Sequence, residues 1–149
     1  MGVSHLLQKV FSKFIGEKKL NTIAIIDYGM SNLSSVIRAT RYVAPNDSVI
    51  VTSKPEEINN ADKIIFPGQG AAKKCMESIV KKNLSKIIKK NSQEKPFLGI
   101  CMGMQVLMDF SEENNGTNCL GIIKGKVRKF KRKENIKLKI PHMGWNKVI

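Results

Sequence analysis

Short, continuous apolar runs recur along this chain, and helical patterns separate them. Ile23-Ala24-Ile25-Ile26 is the first, Val49-Ile50-Val51 the second, Lys63-Ile64-Ile65-Phe66 the third and Phe97-Leu98-Gly99-Ile100 the fourth. Runs without polar alternation suit strands buried on both faces of a parallel sheet. Between the first two, Leu33, Val36, Ile37, Thr40 and Val43 repeat with helical period before Pro45-Asn46-Asp47 turns the chain. Lys54-Pro55-Glu56-Glu57 leads on to the third run. After it, a helix from about Ala71 carries Cys75, Met76, Ile79 and Val80 on one side, and a segment through Leu84, Ile87 and Ile88 follows. This alternation predicts an α/β fold, a mostly parallel central sheet flanked by helices. Beyond Asp109 the pattern changes. Residues 111–118 read as a polar loop, 120–130 as strands with no helix between them, and 136–140 as one more alternating strand. Antiparallel strands appended to the parallel core are the expectation.

Ligands gather at the carboxyl ends of such strands. The loops at residues 27–32, 67–70 and 101–103 should all open there. The third loop is the most telling, because Gly99-Ile100-Cys101-Met102-Gly103 passes from a strand straight into a helical pattern. It has the plan of the G-x-S-x-G elbow of hydrolases, in which small residues flank a nucleophile at a tight turn. A thiol at that apex lies near a helix N-terminus, whose dipole favours the thiolate. The Met102 N–H would point where an oxyanion forms, and Gln105 falls one helical turn on, on the same face as Cys101. Free cysteines are often merely buried; the convergence of three loops favours the functional reading of Cys101.

The 149 residues fit one domain, and no apolar run reaches the ~18 residues of a membrane span. Cys75, Cys101 and Cys119 are widely spaced with no C-x-x-C pair, which argues against disulfides or a metal site and for a reducing, cytoplasmic setting. The net charge is +14, densest from Lys126 to Lys133 with Lys137 and Lys139 following. Val127 and Phe130 alternate within that run as on a strand edge with a solvated face. Zinc-finger spacing, aromatic ribonucleoprotein motifs and a clear helix-turn-helix are all lacking, so nucleic acid is not the expected partner. Residues 1–21 form an amphipathic extension, with Leu6, Leu7, Val10, Phe11, Phe14 and Ile15 at helical spacing; residues 22–149 form the domain.

Gly99-Ile100-Cys101-Met102-Gly103-Met104-Gln105 resembles the nucleophile motif of the class I, triad-type glutamine amidotransferases. Three other stretches narrow the resemblance: Ile26-Asp27-Tyr28-Gly29-Met30-Ser31-Asn32-Leu33, Phe66-Pro67-Gly68-Gln69-Gly70-Ala71 and Ile140-Pro141-His142-Met143-Gly144-Trp145-Asn146. In this order, over residues 22–149, they are similar to the glutaminase subunits of imidazole glycerol phosphate synthases. The resemblance implies a flavodoxin-like fold and hydrolysis of L-glutamine through a cysteinyl thioester. It also implies passage of ammonia to a cyclase/synthase subunit in a heterodimer, without a cofactor. It gives Cys101 the nucleophile role, Met102 and the backbone of Gly68, Gln69 and Gly70 the oxyanion donors, and Gln105 a contact to the substrate. Tyr28 to Asn32, with His142, Met143, Trp145 and Asn146, would face the partner at the ammonia passage. Trp145 has a second reading as a core aromatic.

The chain departs from that family twice. Gln69 stands where the family usually has a branched apolar residue. The family's base and its orienting carboxylate come from a late His-Pro-Glu motif, whereas these residues hold only His5 and His142. The expectation is that the C-terminal part of the domain is missing and that this chain alone has negligible turnover. Losing the last strands should leave apolar sheet surface exposed. A sister glutaminase serving sugar amination in surface polysaccharide synthesis, or a non-catalytic remnant that only binds the synthase, are the alternatives.

Overall fold

In the computed structural model of the chain, residues 20–130 and Lys147 are described. β1 (Thr22–Ile26) lies between β2 (Ser48–Thr52) and β3 (Lys63–Gly68), and β4 (Phe97–Cys101) pairs with β3, giving the order β2-β1-β3-β4. Every pairing is parallel, with Ile23 opposite Val49 and Lys63, and Gly68 opposite Cys101. Ala24, Ile25 and Ile26 are fully buried, as an unbroken apolar run requires of a central strand.

The helices follow the punctuation of the sequence. α1 (Leu33–Val43) starts where the Asn32 side chain accepts a hydrogen bond from the Ser35 N–H, and it stops just before Pro45. α2 (Pro55–Asn60) was not expected. Six residues are too few to display a period, but Pro55 in its first turn, Glu56 and Glu57 beside it, and buried Ile58 form a short, well-signalled helix. α3 (Ala72–Lys81) buries Ala72, Cys75 and Ile79 and packs Met76 on the core, yet Val80 is 60% exposed. The expectation for Val80 fails because it lies 100° round the helix from Ile79, outside the stripe that the sheet covers. α4 (Ser85–Glu94) is tied to α2 by buried Asn91, which donates to Asn59 Oδ1 at 2.9 Å.

One face of the sheet carries the core. Ile26, Ile64 and Phe66 meet Ile58, Cys75, Ile79, Leu84, Ile88 and Val106, with the Tyr28 and Phe66 rings 5.3 Å apart. The opposite face is only partly covered by α1. Leu98 and Ile100 of β4, an outer strand of this sheet, remain 55% and 37% exposed.

The helix after Cys101 is a single turn, α5 (Met102–Gln105). The carbonyls that would continue it are taken by a returning segment: Leu120 donates to Val106 at 2.9 Å, Ile122 to Leu107 at 2.8 Å and Gly121 to Met108 at 2.9 Å. That segment was read as strand, but only β7 (Lys126–Val127) is one. β5 (Phe110–Ser111) pairs antiparallel with β6 (Thr117–Asn118) and parallel with β7, so this small sheet is mixed, not antiparallel. A 3-10 turn (Glu113–Asn115) joins β5 to β6 within the stretch read as loop. The basic run does begin on an edge strand as expected, with the Lys126 ammonium 6.0 Å from the Phe110 ring centroid. Residues 1–19 of the N-terminal extension, the strand at 136–140 and the stretch holding His142, Met143, Trp145 and Asn146 lie outside the described residues.

Candidate active site

β4 ends on Cys101 with φ 53° and ψ −116°, a left-handed conformation rare outside glycine. Holding a non-glycine residue there costs on the order of 1–3 kcal/mol, which the surrounding packing must supply. Glycines at both flanks make it possible. A Cβ on Gly103 would collide with the Phe66 carbonyl oxygen and lie 2.8 Å from its carbon; one on Gly99 would lie 2.9 Å from the Met104 Cα. A Cβ on Gly68 would strike the Tyr28 hydroxyl and come within 2.6 Å of the Gly103 nitrogen. The end of β3 and the turn at Cys101 are therefore interlocked backbone to backbone, as the elbow reading of the sequence requires.

The three expected loops do converge. The Gln69 N–H donates to the Met30 carbonyl at 2.7 Å, joining the first loop to the second, and the Gly68–Cys101 pairing joins the second to the third. The first loop is set by an Asx turn, Gly29 N–H to Asp27 Oδ1 at 2.8 Å, with Gly29 at φ +88°. Asn32 is exposed and spent on capping α1. Tyr28 is fully buried beneath the second loop, so its ring meets this chain's own core and not an outer surface. Gln69 and Gly70 are exposed, as is Cys101.

The cysteines divide by accessibility. Burial pushes the thiols of Cys75 and Cys119 up, keeping them neutral, whereas Cys101 is open to solvent. Because α5 is one turn long, the dipole acting on Cys101 is that of a single turn. Met102, its first residue, is buried, and an N–H at a helix start has no partner inside the helix. Since the Gln69 N–H is engaged with Met30, the donor left in the second loop is that of Gly70, which has no hydrogen-bond partner among the described residues.

Gln105 is half-buried and lines a groove with Met104, Glu112, Glu113, Arg128 and Lys129. Glu112 and Glu113 are additions that the sequence did not single out, an acidic pair inside the stretch read as polar loop, whereas Arg128 and Lys129 belong to the basic run read as a strand edge with a solvated face. Glu113 Oε2 accepts from the Ala72 N–H at 3.0 Å and so caps α3, which has no side-chain cap at its own N-cap residue. Among the described residues no group of three His, Cys, Asp or Glu could hold a metal, and no helix is long and apolar enough to cross a membrane.

Residues 24–149 match the family model for glutamine amidotransferase class-I. The chain is 50% identical over 127 residues to the imidazole glycerol phosphate synthase subunit HisH of Hydrogenovibrio crunogenus, covering 85% of this chain and 60% of that protein. It is 46% identical over 133 residues to the subunit of the same name from Methylococcus capsulatus, covering 87% and 61%. With that of Thiobacillus denitrificans it shares 51% identity over 131 residues, covering 85% and 57%. The chain thus spans about three-fifths of the length of these relatives. In fold it is similar to a Listeria monocytogenes EGD-e protein assigned to peptidase E, with a TM-score of 0.51, 14% identity and coverage of 68% of this chain and 56% of that one. The interlocked turn at Cys101 and the extent of the family match lead to one conclusion: this chain belongs to the class I glutamine amidotransferase family.

Proposed function

We propose that this chain carries the nucleophile half of a glutaminase. Its ammonia would serve a cyclase/synthase subunit making imidazole glycerol phosphate and AICAR in histidine biosynthesis. The observation that carries the reading is an exposed cysteine at φ 53°, paired through Gly68 with the end of β3, where the loop at Gln69 and Gly70 is exposed as well. The Cys101 thiolate adds to the carboxamide carbon of L-glutamine, forming the S–C bond and placing negative charge on the carbonyl oxygen. The Met102 N–H and the backbone of Gly68, Gln69 and Gly70 stabilise that oxyanion. Its collapse breaks the C–N bond, releases ammonia once the leaving nitrogen gains a proton, and leaves a thioester that water hydrolyses to glutamate. Gln105 and its groove supply charges of both signs, Glu112 and Glu113 against Arg128 and Lys129, which suits an amino-acid zwitterion.

Proton transfer needs a base oriented by a carboxylate. In these 149 residues the only histidines are His5 and His142, and His142 belongs with Met143, Trp145 and Asn146 to the stretch that the resemblance places at the ammonia passage. The 149 residues alone therefore turn glutamine over negligibly, while the partner subunit forms a heterodimer with the amidotransferase domain in the cytoplasm. The test is ammonia release from L-glutamine by the chain, with and without a synthase subunit, against Cys101→Ala. Release from the chain alone that matches ordinary enzyme turnover would overturn the inactivity. Failure of L-glutamine to slow alkylation of Cys101 would overturn the substrate.

A further inference from the structure

An apolar groove of about 630 Å³ lies on the sheet face that α1 only partly covers, and the chemistry at Cys101 makes no use of it. Val36, Ala39 and Val43 of α1 line it on one side, and Ile65, Leu98 and Ile100 of β3 and β4 line it on the other. The groove reaches the amino end of β1. Leu20 and Asn21 border a smaller hollow there, and Ile23, Val43, Ala44 and Lys63 line that hollow and the groove alike. Asp47 Oδ1 accepts from the Asn21 N–H at 3.2 Å and from its Nδ2 at 3.3 Å, which fixes where the chain enters β1. Residues 1–19 therefore join the domain at the mouth of the groove, next to an exposed Leu20. The chain that leaves β7 does not: Phe130 borders the groove around Gln105 instead.

The sequence of the entering segment suits this groove. At about 100° per residue, Leu6, Leu7, Val10, Phe11, Phe14 and Ile15 fall in one half of a helical wheel, and Gln8, Lys9, Ser12 and Lys13 in the other. Gly16 follows Ile15, where glycine commonly ends a helix. A helix over residues 5–15 would be as long as α1, about 16 Å, and the five residues of β4 span about 17 Å. Residues 16–21 reach about 20 Å when extended, enough to return from the end of such a helix to β1. The family match begins at residue 24, so the segment lies outside it.

We propose that residues 5–15 lie as an amphipathic helix in the groove between α1 and β4, their apolar half against Val43, Leu98 and Ile100 and their lysines in water. The extension is then a cover, carried by the chain itself, for a sheet face that the described residues leave open. Burial of apolar side chains drives the docking, and attachment to β1 keeps the local concentration of the segment high.

Hydrogen exchange of the 149-residue chain, read by mass spectrometry, is the test. Amides of residues 5–15 exchange at least about tenfold more slowly than in Phe11→Ser/Phe14→Ser, a variant that leaves the domain itself untouched. Ala39→Arg, at an exposed position in the groove, frees those amides to the same degree while β1 and α1 keep their protection. Val43→Arg, also exposed and in the groove, does the same and serves if Ala39→Arg unfolds. Lys13→Glu, on the polar half, changes nothing. Coil-like exchange of residues 5–15 in the parent leaves the groove to a segment or partner outside this chain and overturns the proposal. Protection that survives both groove variants places the helix elsewhere and overturns it too. Protection that rises with chain concentration, together with a dimeric mass in sedimentation, gives the groove to a second copy and is equally fatal.

Discussion

Gly103→Ala is the substitution that probes the elbow most severely. The added methyl would collide with the Phe66 carbonyl oxygen, 2.8 Å from the Phe66 carbon and 3.0 Å from that of Pro67, all of it backbone in a central strand. No flexible side chain is there to yield, so β3 and α5 must separate. Overpacking a tight interior costs about 1–3 kcal/mol when side chains can give; with backbone on both sides the expected cost is at the top of that range or above, about 3 kcal/mol. For a domain of this size that is roughly 10 °C in melting temperature. Gly29→Ala is the control. It has the φ strain of +88° but open space, the nearest atom being Ser78 Oγ at 3.9 Å, and so should cost only about 1 kcal/mol. Urea unfolding of the three proteins, followed by circular dichroism, measures both. The Cys101 alkylation rate should fall in Gly103→Ala and not in Gly29→Ala. A Gly103→Ala protein within 1 kcal/mol of the parent, with normal Cys101 reactivity, would refute the interlocked turn.

Further outcomes follow from other parts of the fold. Stability should fall with rising pH above about 9. The Cys75 thiol is raised above its ordinary value of 9.0, so its contribution is full below that pH and is lost as the pH climbs through the folded-state value; denaturant melts should show a gentler alkaline decline in Cys75→Ala. Asn32→Ala removes the cap of α1 and should cost about 1 kcal/mol by the same melts. Leu98→Lys places a charge on an exposed outer-strand position, and light scattering should show less self-association with stability within about 1 kcal/mol of the parent.

The parallel sheet was legible because each of its strands is an apolar run that one or both covered faces demand, and α1 and α3 because ten or eleven residues are enough to display a period. The elbow was legible because only glycine fits beside Cys101, and that necessity is written in the residues themselves. What escaped depends on contacts distant in sequence. Where α5 stops, residues 119–123 return to bond the carbonyls of residues 106–109 just beyond it, and nothing in residues 102–109 announces that. Burial of Tyr28 under Gly68 depends on the close approach of two loops 40 residues apart, which a motif cannot display. The charged groove around Gln105 was hidden for a similar reason, since Glu112 and Arg128 meet only through the small mixed sheet. Val80 is a plainer lesson: Ala72, Cys75, Met76 and Ile79 already fill the stripe of α3 that faces the core, and Val80 falls beyond its edge.

The most direct measurement is to find where a glutamine-shaped chloroketone adds to the chain, by intact mass and peptide mapping, with and without L-glutamine. A single adduct on Cys101, slowed by L-glutamine, with Cys75 and Cys119 untouched, is the predicted result. An adduct on Cys75 or Cys119, or a Cys101 that ignores both reagent and glutamine, would contradict the account.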